Sequence, residues 1–211
     1  MLEIVPFVLG PLKTNTYLVA DPVSNEAAVI DPAWDGRLIA GEAGQRGWQI
    51  GQIWITHAHF DHIGAAAELA RSLDGPPRIA LHPDDRALWE ARGGAEHFGL
   101  SLPASPAPAL ALAHGLSLRL GGIPFKVLHT PGHTPGHCIF YCAQASVCFC
   151  GDLIFKDSVG RTDLPGGDWA SLVESIRSQV YTLPGDTRLL PGHGPGTTVA
   201  AEMNGNPFVR G

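Results

Sequence analysis

Three histidines and one aspartate fall within six consecutive residues of this chain, at the end of an apolar run. The segment reads His57-Ala58-His59-Phe60-Asp61-His62. Buried imidazole and carboxylate groups each need a polar partner, so such a cluster makes little sense as packing. The same groups are the nitrogen and oxygen ligands that divalent metal ions accept from proteins. The cluster therefore predicts a metal-binding turn between a strand and a helix.

Three further ligand-type side chains follow apolar runs later in the chain. They are His133 in Thr130-Pro131-Gly132-His133, Asp152 in Cys150-Gly151-Asp152, and His193 in Pro191-Gly192-His193-Gly194. A glycine precedes each of them, which allows a tight backbone turn that aims the next side chain inward. Together with the histidine-rich segment, these residues predict one site assembled from four strand ends.

The elements that must position these residues alternate between extended and helical patterns. Strands are predicted over residues 2–9, 16–20, 27–30, 52–56, 78–81, 125–128, 138–141, 147–150 and 188–190. Helices are predicted over residues 36–47, 61–72, 84–92 and 169–183, and the Gly-, Ala- and Pro-rich residues 93–113 predict a surface excursion bordering the site. Both halves run through strands and helices in a similar order. The predicted fold class is therefore α/β, a four-layered αββα sandwich.

Composition narrows the classes of protein to consider. The chain has 211 residues, of which 45% are hydrophobic and 16% charged, a balance typical of a globular protein. We expect a single domain over residues 1–211, located in the cytoplasm and without a membrane partner, because no leader or bilayer-spanning apolar run is visible. The net charge of −6 and the scattered Lys and Arg residues argue against nucleic acid as a partner. The sequence does not indicate the oligomeric state.

The remaining cysteines and histidines are expected to be structural. Four cysteines lie close together in the sequence: Cys138, Cys142, Cys148 and Cys150. We expect them to be small buried side chains on two neighbouring strands. The alternative is a disulfide between Cys142 and Cys148. Histidines 82, 97, 114 and 129 lack the strand-exit pattern of the predicted ligands. His137 and Asp31 are predicted to orient metal ligands rather than to bind metal themselves.

The order of the ligand-type residues resembles that of the metallo-β-lactamase superfamily, with its HxHxDH signature, later histidine, bridging aspartate and final histidine. The resemblance implies two metal ions, one held by His57, His59 and His133, the second by Asp61, His62 and His193, with Asp152 bridging both. It also implies that Asp61 and Asp152 are the catalytic carboxylates. Nitrogen and oxygen ligands without thiolate favour Zn, Fe or Mn over copper(I) or an iron-sulfur cluster, and ligand type does not distinguish among the three. Zn is the expected metal. Two such ions would activate a bridging hydroxide and stabilise the oxyanion formed at a carbonyl.

Within the superfamily, the chain is similar to glyoxalase II, the hydroxyacylglutathione hydrolases, in their short single-domain subgroup. The stretches that carry this likeness are Thr-Pro-Gly-His-Thr-Pro-Gly-His at 130–137, Val-Gly-Arg-Thr-Asp-Leu-Pro-Gly-Gly at 159–167, residues 191–198, and Asn-Pro-Phe at 206–208. The resemblance implies hydrolysis of a thioester, S-lactoylglutathione or a related acyl thioester. A thiolate with a pKa near 8.5 leaves without a dedicated general acid, which suits the visible residues.

The chain also departs from two-domain glyoxalase II enzymes. It ends at Gly211 without their helical C-terminal domain, and Asp163 and Pro195 stand where those enzymes present tyrosines. Arg161 keeps a cationic group where a glutathione carboxylate could dock, or it pairs with Asp163 instead. Arg161 and Asp163 are therefore the predicted substrate-binding residues. The expected partner is a small-molecule thioester, with glutathione as one possible thiol.

Two other functions remain open at this stage. A persulfide dioxygenase of the same superfamily carries a similar Gly-Arg-Thr-Asp stretch and uses one Fe(II), which His57, His133 and Asp152 could bind as a facial triad. That lineage has Cys where this chain has Val159, and the Leu-Pro-Gly-Gly at 164–167 favours the hydrolase. The third function is a metal-binding domain without catalysis. The prediction is the hydrolase.

Overall fold

The computed structural model describes residues 1–211 and contains two six-stranded sheets. In spatial order, the first sheet consists of β1 (Glu3–Leu9), β2 (Thr14–Asp21), β3 (Glu26–Ile30), β4 (Gln49–Trp54), β5 (Arg78–Leu81) and β6 (Leu110–Ala111). The second consists of β7 (Ser117–Leu120), β8 (Ile123–His129), β9 (Cys138–Cys142), β10 (Val147–Gly151), then β13 (Arg188–Pro191) and β14 (Thr197–Thr198). The ribbon of β11 (Ile154–Phe155) and β12 (Ser158–Val159) stands apart from both sheets.

Six short α-helices accompany the sheets. They are α1 (Gly36–Gln45), α2 (Phe60–Ile63), α3 (Ala66–Arg71), α4 (Arg86–Glu90), α5 (Trp169–Ser175) and α6 (Val199–Gly205). A π-helical turn, Ile176–Val180, continues α5. None of these helices has the length and apolar character that crossing a membrane would require.

Three apolar clusters define the layers. The central cluster joins the facing sides of the two sheets, where the ring centroids of Trp54 and Phe125 lie 4.8 Å apart and those of Tyr17 and Phe149 lie 5.2 Å apart. A second cluster covers the outer face of the first sheet with side chains of α1 and α3, among them Ile39. The third covers the outer face of the second sheet with α5 and the π-helical turn. These layers confirm the predicted αββα sandwich.

Parallel strand pairs decide where the site forms. In the first sheet β3, β4 and β5 run parallel, and in the second β10 and β13 run parallel, with Gly151 opposite Pro191. Parallel strands deliver their carboxyl ends to the same sheet edge. The residues that follow β4, β10 and β13 therefore meet at one end of the sandwich.

Several predicted elements differ in detail. The predicted helix over 61–72 is divided into α2 and α3, and Asp61 lies inside the first turn of α2. The predicted helix over 169–183 changes to π-helical geometry after Ser175. Residues 93–113 include a 3₁₀ segment and β6, and Gly93 packs against the backbone of Phe60, so this excursion supports the histidine-rich turn.

All four cysteines are free and buried. Cys142 lies opposite Val147 in the β9–β10 pair, and Cys148 lies opposite Tyr141. Because side chains alternate between the faces of a sheet, Cys142 joins the central cluster and Cys148 the outer one. The alternative of a disulfide between Cys142 and Cys148 is therefore wrong, since the two thiols lie on opposite faces.

Candidate metal centre

The structure brings all seven predicted ligand residues together at one end of the sandwich. His57 and His59 lie between β4 and α2, and Asp61 and His62 lie in the first turn of α2. The other three each follow a strand of the second sheet and come from separate loops: His133 after β8, Asp152 after β10 and His193 after β13. Both sheets therefore contribute to the same cluster.

Three histidines form the first ligand group. The Nε2 atom of His133 lies 2.9 Å from Nδ1 of His59 and 3.1 Å from Nε2 of His57. His57 is fully buried and His133 nearly so, whereas His59 is partly exposed. Ligand atoms about 2.0 to 2.1 Å from a tetrahedral ion lie roughly 3.3 Å from one another, so this triangle has the size of a metal site.

Asp61, His62 and His193 form the second ligand group. The Oδ2 atom of Asp61 lies 3.1 Å from Nε2 of His193 and 3.6 Å from Nε2 of His62. The hydroxyl of Thr14 donates a hydrogen bond to this Oδ2 atom at 2.9 Å and so holds the Asp61 carboxylate in place. These atoms also have the spacing of ligands around one ion.

Asp152 stands between the two groups. Its Oδ2 atom lies 3.7 Å from Nε2 of His133 and 3.5 Å from Nε2 of His193, and its Oδ1 atom lies 3.4 Å from Nε2 of His62. Both Oδ1 of Asp152 and Nε2 of His62 are buried without a hydrogen-bond partner. Buried polar atoms normally have partners. Cations between these groups would satisfy them, so the arrangement is compatible with a dinuclear metal site.

The electrostatics of the cluster fit the same interpretation. Burial and the surrounding imidazoles lower the pKa of His57 well below its ordinary value and that of His59 to about 3. Burial opposes ionisation of Asp152, but His62 beside it lowers the pKa of that carboxyl strongly. Burial also opposes protonation of His62, yet Asp152 and Asp61 raise its pKa well above the ordinary value. At neutral pH the imidazoles of His57 and His59 are thus uncharged and each has a free lone pair. The imidazole of His62 carries a second proton, which a metal ion would replace.

Residues 9–193 match the family described as the Metallo-beta-lactamase superfamily. This chain belongs to that superfamily. The probable metallo-hydrolase YqgX of Bacillus subtilis (strain 168) is 36% identical, over 96% of this chain and 95% of that protein. The hydroxyacylglutathione hydrolase GloC of Haemophilus influenzae (strain ATCC 51907 / DSM 11121 / KW20 / Rd) is 34% identical, over 99% of this chain and 97% of that protein.

Two solved structures share both the fold and the chain length of this superfamily member. The B3 metallo-beta-lactamase BLEG-1 is 34% identical with a TM-score of 0.91, and the alignment covers all of both chains. TTHA1623, whose structure was solved in a di-iron-bound form, is 42% identical with a TM-score of 0.88, covering 97% of this chain and 100% of that one. These similarities confirm the predicted family and fold.

In this member of the superfamily, Asp31 supports the histidine-rich turn from the end of β3. Its Oδ1 atom accepts from the backbone N–H of Thr56 at 2.7 Å, and its Oδ2 atom accepts from the Thr56 hydroxyl at 2.6 Å. The same Oδ2 atom lies 2.9 Å from Nδ1 of His62. A carboxylate on Nδ1 directs the Nε2 lone pair toward the cluster, which is the orienting position predicted for Asp31.

His137, predicted to orient a ligand, lies beside the three-histidine group. Its Nδ1 atom lies 2.9 Å from the hydroxyl of Thr130, and its Nε2 atom is buried without a partner. The His137 ring centroid is 5.3 Å from that of His57. It contacts the ligand residues without belonging to either ligand group.

The first two residues of β2 support the site and were not among the predicted site residues. Thr14 forms an isolated bridge with His193, and the amide of Asn15 donates to the carbonyls of Pro191 and Gly194, each at 2.9 Å. The signal that could have revealed them is the polar run Thr14-Asn15-Thr16, which begins a strand whose eight residues are all buried. The predicted strand begins at residue 16, two residues after the start of β2.

Gly192 shows why the glycine before His193 matters. A Cβ atom at this position would meet the Asp152 carboxylate and would lie 2.6 Å from Cε1 of His62. Only a residue without a side chain lets the backbone pass this close to two members of the cluster. The glycine therefore serves the packing of the ligands as well as the turn.

Arg161 and Asp163, the predicted substrate-binding residues, form an exposed ion pair. Arg161 donates from Nε to Oδ1 of Asp163 at 2.6 Å and from Nη2 to Oδ2 at 2.7 Å. Hydrogen bonding to Arg161 lowers the pKa of Asp163 to about 2. The carbonyl oxygen of Arg161 lies 2.8 Å from Nδ1 of His133, so this residue also orients a predicted ligand.

One group of ligand-type side chains lies outside the centre. His82 and Asp84 come near His129, and the two imidazole rings are stacked with centroids 4.0 Å apart and planes 7° apart. Lone pairs of imidazole nitrogens lie in the ring plane, so two parallel rings do not aim at a common ion. His129 also has its Nε2 atom 2.8 Å from the carbonyl oxygen of Pro135. This geometry agrees with structural roles for both histidines.

Proposed function

We propose that this chain is a dinuclear metal-dependent hydrolase that cleaves a thioester, S-lactoylglutathione or a related acyl thioester. The observation that carries the proposal is the position of Asp152. Its carboxylate lies within 3.7 Å of imidazoles from both ligand groups. A carboxylate shared between two sets of ligands is the arrangement expected where two ions act on one substrate.

The proposed division of ligands follows the two groups described above. His57, His59 and His133 would hold one ion, Asp61, His62 and His193 the other, and Asp152 would contact both. When bound, the ions would supply an activated water molecule and stabilise negative charge on the substrate carbonyl oxygen. The two catalytic carboxylates, Asp61 and Asp152, would fix this geometry and balance the charge of the ions. Zn is the preferred metal, with Fe or Mn as alternatives of the same ligand class.

The chain's own residues prepare these ligands before substrate arrives. Asp31 holds Nδ1 of His62, and the carbonyl oxygen of Arg161 holds Nδ1 of His133. Each contact leaves the Nε2 atom of its imidazole directed into the cluster. Fixed orientation reduces the reorganisation needed at the moment of reaction, which is where such sites gain rate.

A thioester suits this site because of its leaving group. A thiol has a pKa near 8.5, so the thiolate leaves without receiving a proton, whereas an amine requires a general acid. The carboxylates of Asp61 and Asp152 belong to the proposed ligand set, and the carboxylate of Asp31 is engaged by Thr56 and His62. The similarity to GloC favours the same substrate class. We further propose that the Arg161–Asp163 pair lines the substrate path, with the remaining guanidinium N–H groups directed at a carboxylate of the thiol portion.

The test is a parallel assay on one metal-replete preparation. The protein is loaded with Zn, Fe or Mn in turn. For each metal, the metal content is measured together with the hydrolysis of S-lactoylglutathione and of a simple acyl thioester. We expect two metal equivalents and thioester cleavage that is lost in an Asp152→Asn variant. Asp157→Asn serves as the control, because Asp157 is exposed in the turn of the β11–β12 ribbon.

Three results would contradict the proposal. Oxygen uptake with glutathione persulfide, with thioesters left intact, would indicate a dioxygenase with one iron. Cleavage of a β-lactam in preference to every thioester would indicate a metallo-β-lactamase, as BLEG-1 is described. A metal-saturated protein with neither activity would leave only a binding role.

A further inference from the structure

A second buried carboxylate lies behind the metal centre and belongs to neither ligand group. Asp85 is fully buried and ends the 3₁₀ turn Pro83–Asp85 that leads into α4. Its Oδ2 atom accepts from the backbone N–H of Ala58 at 2.9 Å and from the hydroxyl of Thr134 at 2.8 Å. Its Oδ1 atom accepts from the backbone N–H of Gly136 at 2.7 Å. Three donors therefore converge on one charge.

These donors come from two different metal-binding loops. Ala58 stands between the predicted ligands His57 and His59, which follow the first sheet, whereas Thr134 directly follows His133 in the loop of the second sheet. One carboxylate thus ties both halves of the three-histidine group to a third element. Hydrogen bonds to a charged acceptor are shorter and about twice as strong as neutral ones, so the Asp85 carboxylate restrains both loops firmly.

The backbone near Asp85 is shaped for this contact. A Cβ atom on Gly136 would lie 2.6 Å from the backbone nitrogen of Asp85 and 2.7 Å from its Oδ1 atom. Any larger residue at this position would push the second-sheet loop away from the carboxylate. The close approach is therefore available to glycine alone.

The second ligand group has separate supports. Thr14 holds Asp61 at 2.9 Å, and Asp31 holds His62 at 2.9 Å. Neither of these contacts involves Asp85. The two halves of the centre can therefore be perturbed one at a time.

We propose that Asp85 is a positioning residue that sets the separation of the two loops carrying His57, His59 and His133, and so controls metal affinity at the three-histidine group. The inference rests on the proposed function only in that this group binds a metal ion. None of the hydrogen bonds of Asp85 reaches a predicted ligand side chain. It acts through the backbone of Ala58 and Gly136 and through the Thr134 hydroxyl.

The experiment replaces Asp85 by asparagine in a His193→Ala background, which leaves the three-histidine group as the main site. In either orientation, the new amide NH₂ faces a backbone N–H from one of the loops, so that N–H loses its acceptor. We expect binding of Zn to weaken about tenfold or more, measured by competition with a chromophoric chelator. With Co(II), we expect a changed visible absorption band, because the ligand geometry itself is altered.

Asp84→Asn in the same background is the matched control, since Asp84 is the exposed neighbour on the same turn. Zn affinity and the Co(II) spectrum should stay as in the parent. If Asp85→Asn does not fold, Thr134→Val removes one donor and keeps the carboxylate, and we expect a smaller loss of affinity with the same spectral change. Unaltered Zn affinity and Co(II) spectrum in the folded variant would overturn the proposal, and so would a loss of stability without either change. Absence of thioester cleavage by the parent chain would refute the proposed function and leave these metal readouts intact.

Discussion

Replacing Asp31 by asparagine tests whether the proton position on His62 controls the second ligand group. In the structure the carboxylate of Asp31 faces Nδ1 of His62 at 2.9 Å while also accepting twice from Thr56. An asparagine that still accepts from the Thr56 backbone N–H turns its NH₂ group toward His62. Nδ1 must then accept a hydrogen bond, so when the ring gives up one of its two protons it keeps the other on Nε2. That proton occupies the lone pair needed for metal binding.

The expected loss of metal affinity follows from the one contact that the variant lacks, the hydrogen bond from Nδ1 of His62 to the Asp31 carboxylate. To bind metal at Nε2, the His62 ring of the variant must return its proton to Nδ1, where it meets the amide NH₂ instead of a carboxylate. A hydrogen bond to a charged group contributes about 1.5 to 3 kcal/mol, and about 1.4 kcal/mol corresponds to a tenfold change in an equilibrium constant. We therefore expect one metal equivalent to bind about 10- to 100-fold more weakly.

The assay is a Zn titration of metal-free protein against a chromophoric chelator, in which we expect two binding steps for the parent. The Asp31→Asn variant should retain the tight step assigned to the three-histidine group and weaken the other. Asp21→Asn is the matched control: Asp21 lies at the far end of β2, is buried, and accepts from the backbone N–H groups of Val23 and Gly122. Two unchanged steps in a folded Asp31→Asn protein would refute the reasoning, as would the same loss in the Asp21 variant.

Three further outcomes are expected. His193→Ala should leave about one metal equivalent by elemental analysis, and a second tightly bound ion would contradict the division into two groups. Phe125→Ala, which removes a buried ring beside Trp54, should lower the free energy of unfolding in urea by about 3 to 5 kcal/mol; a value below about 1 kcal/mol would show that the central cluster does not hold the sheets together. Arg161→Ala should raise KM for S-lactoylglutathione about tenfold and leave that of a thioester without a carboxylate unchanged, whereas equal effects on both would argue against a docking role.

The clustering of the seven predicted ligand residues at one place follows from local features of the sequence. The histidine-rich turn carries four of them within six residues, and glycines mark the other three at strand ends. The alternation of strand and helix patterns also predicted the layers, since it depends on which side chains must be buried. Helix ends were predicted less well, because the helix predicted over 61–72 is two short helices that end and begin on either side of residues 64 and 65.

Asp31 could be predicted as a supporting residue from its place at the end of a strand, whereas Asp85 and Thr14 could not, because their contacts exist only after folding. Asp85 lies in an ordinary polar helix start, and nothing near it in the sequence points to Ala58, 27 positions earlier, or to Gly136, 51 positions later. Thr14 is 47 positions from the carboxylate that it holds. Such contacts are fixed by sheet packing. Composition and local spacing carry no information about them.

The centre therefore depends on the join between the two sheets as much as on its ligands. Each proposed metal group takes residues from both sheets, so a shift of one sheet against the other would separate the members of both groups. Several hydrogen bonds cross this boundary close to the predicted ligands. Asp85 links Ala58 to Gly136, and the backbone N–H of Cys138 donates to the carbonyl of Thr56 at 2.8 Å. On the other side of the centre, the Asn15 amide donates to the carbonyls of Pro191 and Gly194. Farther away, the Trp54 and Phe125 rings pack across the same boundary. Weakening this core in Phe125→Ala should consequently loosen metal binding even though the substitution leaves every ligand in place.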